Sequence, residues 1–220
     1  MSARSSVPES VPEGIHVKIC GIATPDAFDA AVDAGADSVG FVFFPPSPRA
    51  LTPAQAASLS VRHAGGPRRV GLFVKPTDEQ VSAALDALPL DVLQVYADAD
   101  RAAALRARFG VPVWLAVGVE GRADLPDRAP GVDALMLDAK PPRDATLPGG
   151  NAHPFEWTVL RGWEAPLPWL LAGGLTPGNV ADAVRASGAR AVDVSSGVER
   201  ERGVKDAGLV RDFVRAAKGG

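Results

Sequence analysis

The run Ser38-Val39-Gly40-Phe41-Val42-Phe43 is apolar almost without a break and carries β-branched and aromatic side chains. A strand with one face in water alternates apolar with polar residues, whereas a parallel strand covered on both faces reads as a continuous apolar stretch. Trp169-Leu170-Leu171-Ala172 has the same character near the other end of the chain. Both stretches therefore predict strands held between two covering layers.

Working outward, comparable runs begin near positions 15, 38, 69, 92, 113, 134, 169 and 191. Each interval leaves room for one helix and two short loops. Thr24-Pro25, Thr52-Pro53 and Thr176-Pro177 each offer a capping hydroxyl ahead of a residue whose fixed φ suits the first helical position. Thr77 with Gln80 fits a capping box, and Val81, Leu85 and Leu88 then recur at helical spacing. Eight such units in 220 residues predict an α/β fold, a single-domain (β/α)8 TIM barrel over residues 15–220. The alternative is an open doubly wound sheet, but Cys20-Gly21-Ile22-Ala23 lacks the spaced glycines of a dinucleotide turn. Segment 120–132 contains Pro126 and Pro130, so its helix should be short or irregular. The Pro- and Gly-rich stretch 139–154 reads as a long loop on the face where barrels keep their chemistry.

Composition narrows the function classes. With 46% hydrophobic and 22% charged residues the chain is an ordinary globular one. Lys and Arg number 23 against 26 Asp and Glu, a net charge of -3, so no basic field exists for nucleic acid. Residues 1–14 read as a mobile tail, neither a secretion signal nor a membrane anchor. No apolar run approaches the roughly 20 residues of a spanning helix. A lone cysteine excludes an internal disulfide and suits the cytoplasm. His16, His63 and His153 show no metal-ligand spacing, and no metal site is expected.

Several residues at strand ends carry possible chemistry. Cys20 closes Val17-Lys18-Ile19-Cys20; it is either a small buried hydrophobe or a base whose ionisation the nearby Lys18 favours. Asp138 closes Ala134-Leu135-Met136-Leu137-Asp138, as a turn former or as an acid whose proton affinity apolar walls raise. A thiolate and a carboxylic acid across one mouth could move a hydrogen between adjacent carbons. Gly173-Gly174 and Ser195-Ser196-Gly197 follow strands seven and eight, where barrels bind phosphate through backbone amides; tight turns are the plainer explanation of either string alone. Arg49, on the proline-stiffened Pro45-Pro46-Ser47-Pro48-Arg49, is either solvated charge or a two-pronged grip for a carboxylate. Gln94, Tyr96 and Asp193 can face the barrel interior, where polar groups are usually paired for structural reasons.

In this order the strings resemble the phosphoribosylanthranilate isomerase family of tryptophan biosynthesis. The resemblance spans residues 17–206 and also takes in Val70-Gly71-Leu72-Phe73, Leu171 to Leu175 with Asn179, and Asp193 to Glu199. It implies a cofactor-free barrel that converts N-(5-phosphoribosyl)anthranilate to 1-(2-carboxyphenylamino)-1-deoxyribulose 5-phosphate by an Amadori rearrangement. By the same resemblance Asp138 would be the general acid and Cys20 the general base. Arg49 would hold the anthranilate carboxylate, Gln94 and Asp193 would contact the sugar, and the turns Gly173-Gly174 and Ser195-Ser196-Gly197 would hold phosphate. The implied partner is a small phosphosugar, with the chain a monomer or a homodimer.

Departures from the family pattern are local. Gln94-Val95-Tyr96-Ala97 stands where the family commonly has Gln-Leu-His-Gly, and Gly149-Gly150-Asn151-Ala152 where it has Gly-Gly-Thr-Gly. Competing readings are another phosphosugar isomerase or epimerase barrel, and a catalytically silent phosphate-binding barrel.

Overall fold

The structure, a computed structural model, describes residues 14–128, 131–140 and 154–219. Eight strands form it: β1 (His16–Cys20), β2 (Ser38–Val42), β3 (Arg68–Val74), β4 (Val92–Tyr96), β5 (Val113–Val119), β6 (Ala134–Ala139), β7 (Trp169–Leu171) and β8 (Ala191–Val194). Each starts within one residue of its expected position. They pair in parallel in chain order and close, β8 on β1, with Lys18 opposite Ser38 on one side and Asp193 on the other.

Among the described residues six helices cover the sheet: α1 (Pro25–Asp33), α2 (Pro53–Ser60), α3 (Asp78–Ala87), α4 (Ala99–Phe109), α5 (Val180–Ser187) and α6 (Ala207–Lys218). Their starts obey the capping logic in most cases. Thr24 accepts from the Ala27 N–H ahead of Pro25, and Thr52 with Gln55 and Thr77 with Gln80 form reciprocal capping boxes. Thr176-Pro177 does not begin a helix. The chain there makes a turn in which Asn179 Oδ1 accepts the Thr176 N–H at 2.7 Å, and α5 starts only at Val180. The Asn179 and Val180 N–H groups both return to the Thr176 carbonyl, so the stretch closes one turn directly ahead of α5.

Two crossovers depart from strict β then α alternation. Among the described residues, those after β5 and β6 hold only short 3-10 turns, Arg122–Asp124 and Trp157–Leu160. Proline in the first and the length of the second fit that outcome. The tail, residues 1–13, and residues 141–153 of the loop after β6 lie outside the described residues.

Alternation along each strand sorts side chains into two cores. Outward residues such as Ile19, Phe41, Phe73, Leu93, Leu135 and Val192 pack under the helices with Phe28 and Phe213. Inward residues Val70, Val92, Trp114, Met136 and Leu170 fill the barrel as an apolar plug. Each fully buried phenylalanine contributes roughly 1.5–3 kcal/mol by the area it removes from water. The same alternation turns Lys18, Cys20, Gln94, Tyr96, Asp138 and Asp193 toward the interior.

A hairpin that the sequence pattern did not announce follows β8: β9 (Glu199–Glu201) and β10 (Val204–Lys205) pair antiparallel. Gly203 turns between them at φ +89°. The run Glu199-Arg200-Glu201-Arg202 reads from sequence as a solvated charged stretch, and a two-residue return strand leaves no periodicity to detect.

Candidate active site

One cavity at the carboxyl ends of the strands is lined by Cys20, Arg49, Asp138 and Asp193 together with Gly173, Gly174, Ser195, Ser196 and Gly197. Every sequence-predicted site residue except Gln94 therefore meets in one place. Gln94 is fully buried two residues before Tyr96, and neither of its amide heteroatoms has a hydrogen-bond partner. It lies under the cavity rather than in its wall.

On the β1–β8 side, Lys18 is completely buried and donates to Asp193 Oδ1 at 2.6 Å. Burial disfavours the ammonium, but Asp193 and Cys20 together more than offset this and the Lys18 pKa is raised. Gly40 on β2 makes room above this pair. A Cβ there would lie 2.9 Å from Cys20 Sγ and 3.2 Å from Lys18 Nζ, so thiol and ammonium converge over its bare backbone. Burial pushes the Cys20 thiol up, and Lys18 opposes without reversing the shift. The positive charge that the sequence places beside the cysteine thus moderates a raised pKa instead of producing a resting thiolate.

Asp138, at the end of β6, is 5% exposed. Its Oδ2 accepts from the Tyr96 hydroxyl of β4 at 2.8 Å. Burial raises the carboxyl to about 6, with the Tyr96 hydrogen bond restraining the rise. Tyr96 is pushed well above the usual phenol value by its burial and by Asp138, so it remains a neutral donor. An acid of this kind is protonated in an appreciable fraction of molecules at neutral pH.

The two small-residue turns are packed backbone to backbone. Gly173 has φ +82°, and a Cβ on it would stand 2.4 Å from the Ala139 nitrogen. At Gly197 the added atom would lie 1.8 Å from the Leu175 carbonyl oxygen, which no side chain permits. Asn179 Nδ2 donates to the Gly174 carbonyl at 3.0 Å, tying the first turn to the start of α5. A 3-10 turn, Ser196–Val198, opens at the end of β8. The first N–H groups of such a turn have no acceptor within it, which makes them available to an anion.

Arg49 sits beside the β8 turn, buried, with its Nε and Nη2 donating to the two Glu199 oxygens at 2.6 and 2.7 Å. Lys205 Nζ and the Gly203 N–H donate to the same carboxylate at 2.6 and 2.9 Å. Burial works against the ionised Glu199, yet Arg49 and Lys205 prevail and hold it at about 2. Lys205 also donates to the Ser195 carbonyl at 3.0 Å, so one carboxylate braces the Arg49 loop against the β8 turn. One edge of the guanidinium is thereby committed within the chain, while Nη1 has no partner among the described residues. Glu199, Lys205 and Asn179 are the residues sequence reasoning left without roles. A charge run ending in a turn glycine was the available signal for the first two.

Chemically, the cavity offers a thiol beside a buried cation, a carboxylic acid across from it, and a cradle of backbone amides. Comparison with known proteins points the same way. The family model described as N-(5'phosphoribosyl)anthranilate (PRA) isomerase matches residues 17–216. The N-(5'-phosphoribosyl)anthranilate isomerase of Acidiphilium cryptum is 57% identical over 92% of this chain and 98% of its own length. That of Granulibacter bethesdensis is 52% identical over the same shares. Among solved structures, the phosphoribosylanthranilate isomerase of Thermotoga maritima superposes with a TM-score of 0.82 at 33% identity, covering 94% of this chain and all of that one. A phosphoribosylanthranilate isomerase in complex with reduced 1-(o-carboxyphenylamino)-1-deoxyribulose 5-phosphate gives 0.80 at 31% identity, with the same coverage. The chain belongs to the N-(5'-phosphoribosyl)anthranilate isomerase family.

Proposed function

We propose that this chain catalyses the Amadori rearrangement of N-(5-phosphoribosyl)anthranilate in tryptophan biosynthesis, with Asp138 as general acid and Cys20 as general base. The observation that carries the assignment is the shared cavity: thiol, carboxyl and both small-residue turns line one mouth. Asp138 gives its proton to the ribose ring oxygen as the C1–O bond breaks, and the anilino nitrogen lone pair forms a C1=N iminium. Cys20 thiolate then takes the proton from C2, and that electron pair becomes the C1=C2 bond as the iminium collapses to nitrogen. The resulting enol tautomerises to the ketone, gaining a proton at C1, so the reaction is a net isomerisation.

Roles for the remaining residues follow from position. Amides of the turns at Gly173-Gly174 and Ser195-Ser196-Gly197 hold the phosphate, whose binding energy fixes the sugar between acid and base. Arg49, steadied by Glu199, offers its uncommitted Nη1 to the anthranilate carboxylate. Asp193 faces the sugar from β8. The substrate is a small phosphosugar, and the chain works as a cytoplasmic enzyme. As monomer or homodimer it has both precedents in one relative, since monomers of the dimeric Thermotoga maritima enzyme have been crystallised.

The reacting form carries one proton between acid and base, and it must sit on Asp138 with Cys20 ionised. This is the less populated arrangement of the singly protonated site, because the carboxyl titrates at about 6 and the thiol is raised. The test is turnover of freshly made phosphoribosylanthranilate by the purified protein, followed as loss of anthranilate-type fluorescence. Steady decay proportional to enzyme is expected. No decay from protein that unfolds cooperatively would overturn the assignment in favour of a silent phosphate-binding barrel.

A further inference from the structure

Tyr96 occupies a position no catalytic role yet explains. Its hydroxyl crosses from β4 to β6, over the intervening strand β5, to reach Asp138 Oδ2 at 2.8 Å. The intervening β5 carries Gly118, the register partner of Asp138, and so adds no side chain at that level. Gln94, on the same face of β4 two residues earlier, makes no such bond although it is fully buried.

We propose that Tyr96 is the positioning residue of the general acid: its hydroxyl occupies Asp138 Oδ2 and so leaves Oδ1 to carry the proton delivered to the sugar. The inference rests on the reading of Asp138 as the acid. A carboxyl with neither oxygen engaged can present its proton on either one and rotate about the Cβ–Cγ bond; one oxygen tied to a donor removes both freedoms. The same bond favours the carboxylate left after proton transfer, which makes the protonated acid a readier donor. Other groups bear on Asp138 from all sides: Lys18 and Cys20 on β1, Asp193 on β8, and the Ala139 N–H on its own strand. Gly118 of β5 and Ala172 and Gly173 after β7 bring no charge. Tyr96 is thus the side chain that reaches Asp138 by a direct hydrogen bond among the described residues.

Tyr96→Phe removes the hydroxyl and keeps the ring. The expected result is a kcat lower by roughly tenfold with KM little changed, and an acid limb of the kcat/KM profile that moves up by about one pH unit, the worth of one hydrogen bond to a charged group. Infrared titration of the Asp138 carboxyl, with Asp138→Asn as the blank, should show the same upward midpoint without reference to turnover. A midpoint and acid limb left in place by Tyr96→Phe overturn the inference. If Asp138→Asn itself keeps the wild-type rate, the acid assignment is what fails, and an unmoved kcat in Tyr96→Phe then sinks the positioning role with it.

Discussion

Two inward-facing carboxylates, Asp193 on β8 and Asp138 on β6, meet opposite fates in the same mouth. Asp193 receives a buried ammonium at 2.6 Å and belongs to an ion pair. Asp138 receives only a phenol at 2.8 Å, and burial raises its carboxyl to about 6. Residue type and depth are nearly matched, at 8% and 5% exposure. The partners differ in kind: Asp193 is tied to a buried cation, whereas at Asp138 a neutral donor only restrains the rise that burial imposes. One side of the barrel is built to hold charge, the other to transfer it.

The sharpest way to break this contrast is to neutralise each side in turn. Asp138→Asn should lower kcat by about 10²–10⁴-fold, the usual range for a lost general acid, with a stable fold and unimpaired binding of a reduced product analogue. Cys20→Ser should behave alike, because a hydroxyl is a far weaker base than the thiolate. Either variant turning over at the wild-type rate would remove that residue from the mechanism.

On the charge-holding side the leading effect is stability. Lys18→Met leaves Asp193 buried without its cation and should cost about 3–5 kcal/mol in denaturant unfolding. The double replacement Lys18→Met with Asp193→Leu should recover most of that loss, since it removes the orphaned charge as well. Equal damage from the single and double variants would show that Lys18 contributes through packing alone.

A smaller effect is expected at the rim. Arg49→Ala should raise KM by roughly ten- to a hundredfold, as for loss of a charged hydrogen bond, and change kcat less. Glu199→Gln sharpens the point. It loosens the guanidinium without removing it, and its KM should fall between wild type and Arg49→Ala. An unchanged KM in both variants would argue against carboxylate recognition at Arg49.

The least dramatic test is pH. From the fully protonated site the first proton leaves Asp138 at about 6, and the second leaves the raised Cys20 thiol. The profile of kcat/KM should rise through about pH 6, stay level across neutrality and fall again only in the alkaline range where the thiol ionises. In Lys18→Met the alkaline limb should move up, because the cation that opposes the thiol's shift is gone.

Much of this was legible in the chain. Continuous apolar runs such as Ser38 to Phe43 marked the eight strands and the threonine caps three of the six helix starts, because burial on both faces and capping are local demands on sequence. Cys20, Asp138 and the two small-residue turns were also readable, since each ends a strand. Three features were not. The Asn179 side chain bonds the Thr176 N–H and the Gly174 carbonyl, a link that depends on how the turn after β7 folds back. The Glu199 brace depends on Arg49, Lys205 and Gly203 meeting across 150 residues of chain separation in the case of Arg49. Tyr96 differs from the usual family residue, and its bond to Asp138 joins β4 to β6, strands that are not neighbours in the barrel.

A crystal structure of this chain with reduced 1-(2-carboxyphenylamino)-1-deoxyribulose 5-phosphate tests the central claim most directly. The account predicts phosphate against the backbone of Gly174, Ser195 and Ser196, with the sugar carbons between Cys20 Sγ and the Asp138 carboxyl. A ligand whose phosphate lies elsewhere, or whose sugar meets only one of those two groups, would contradict it.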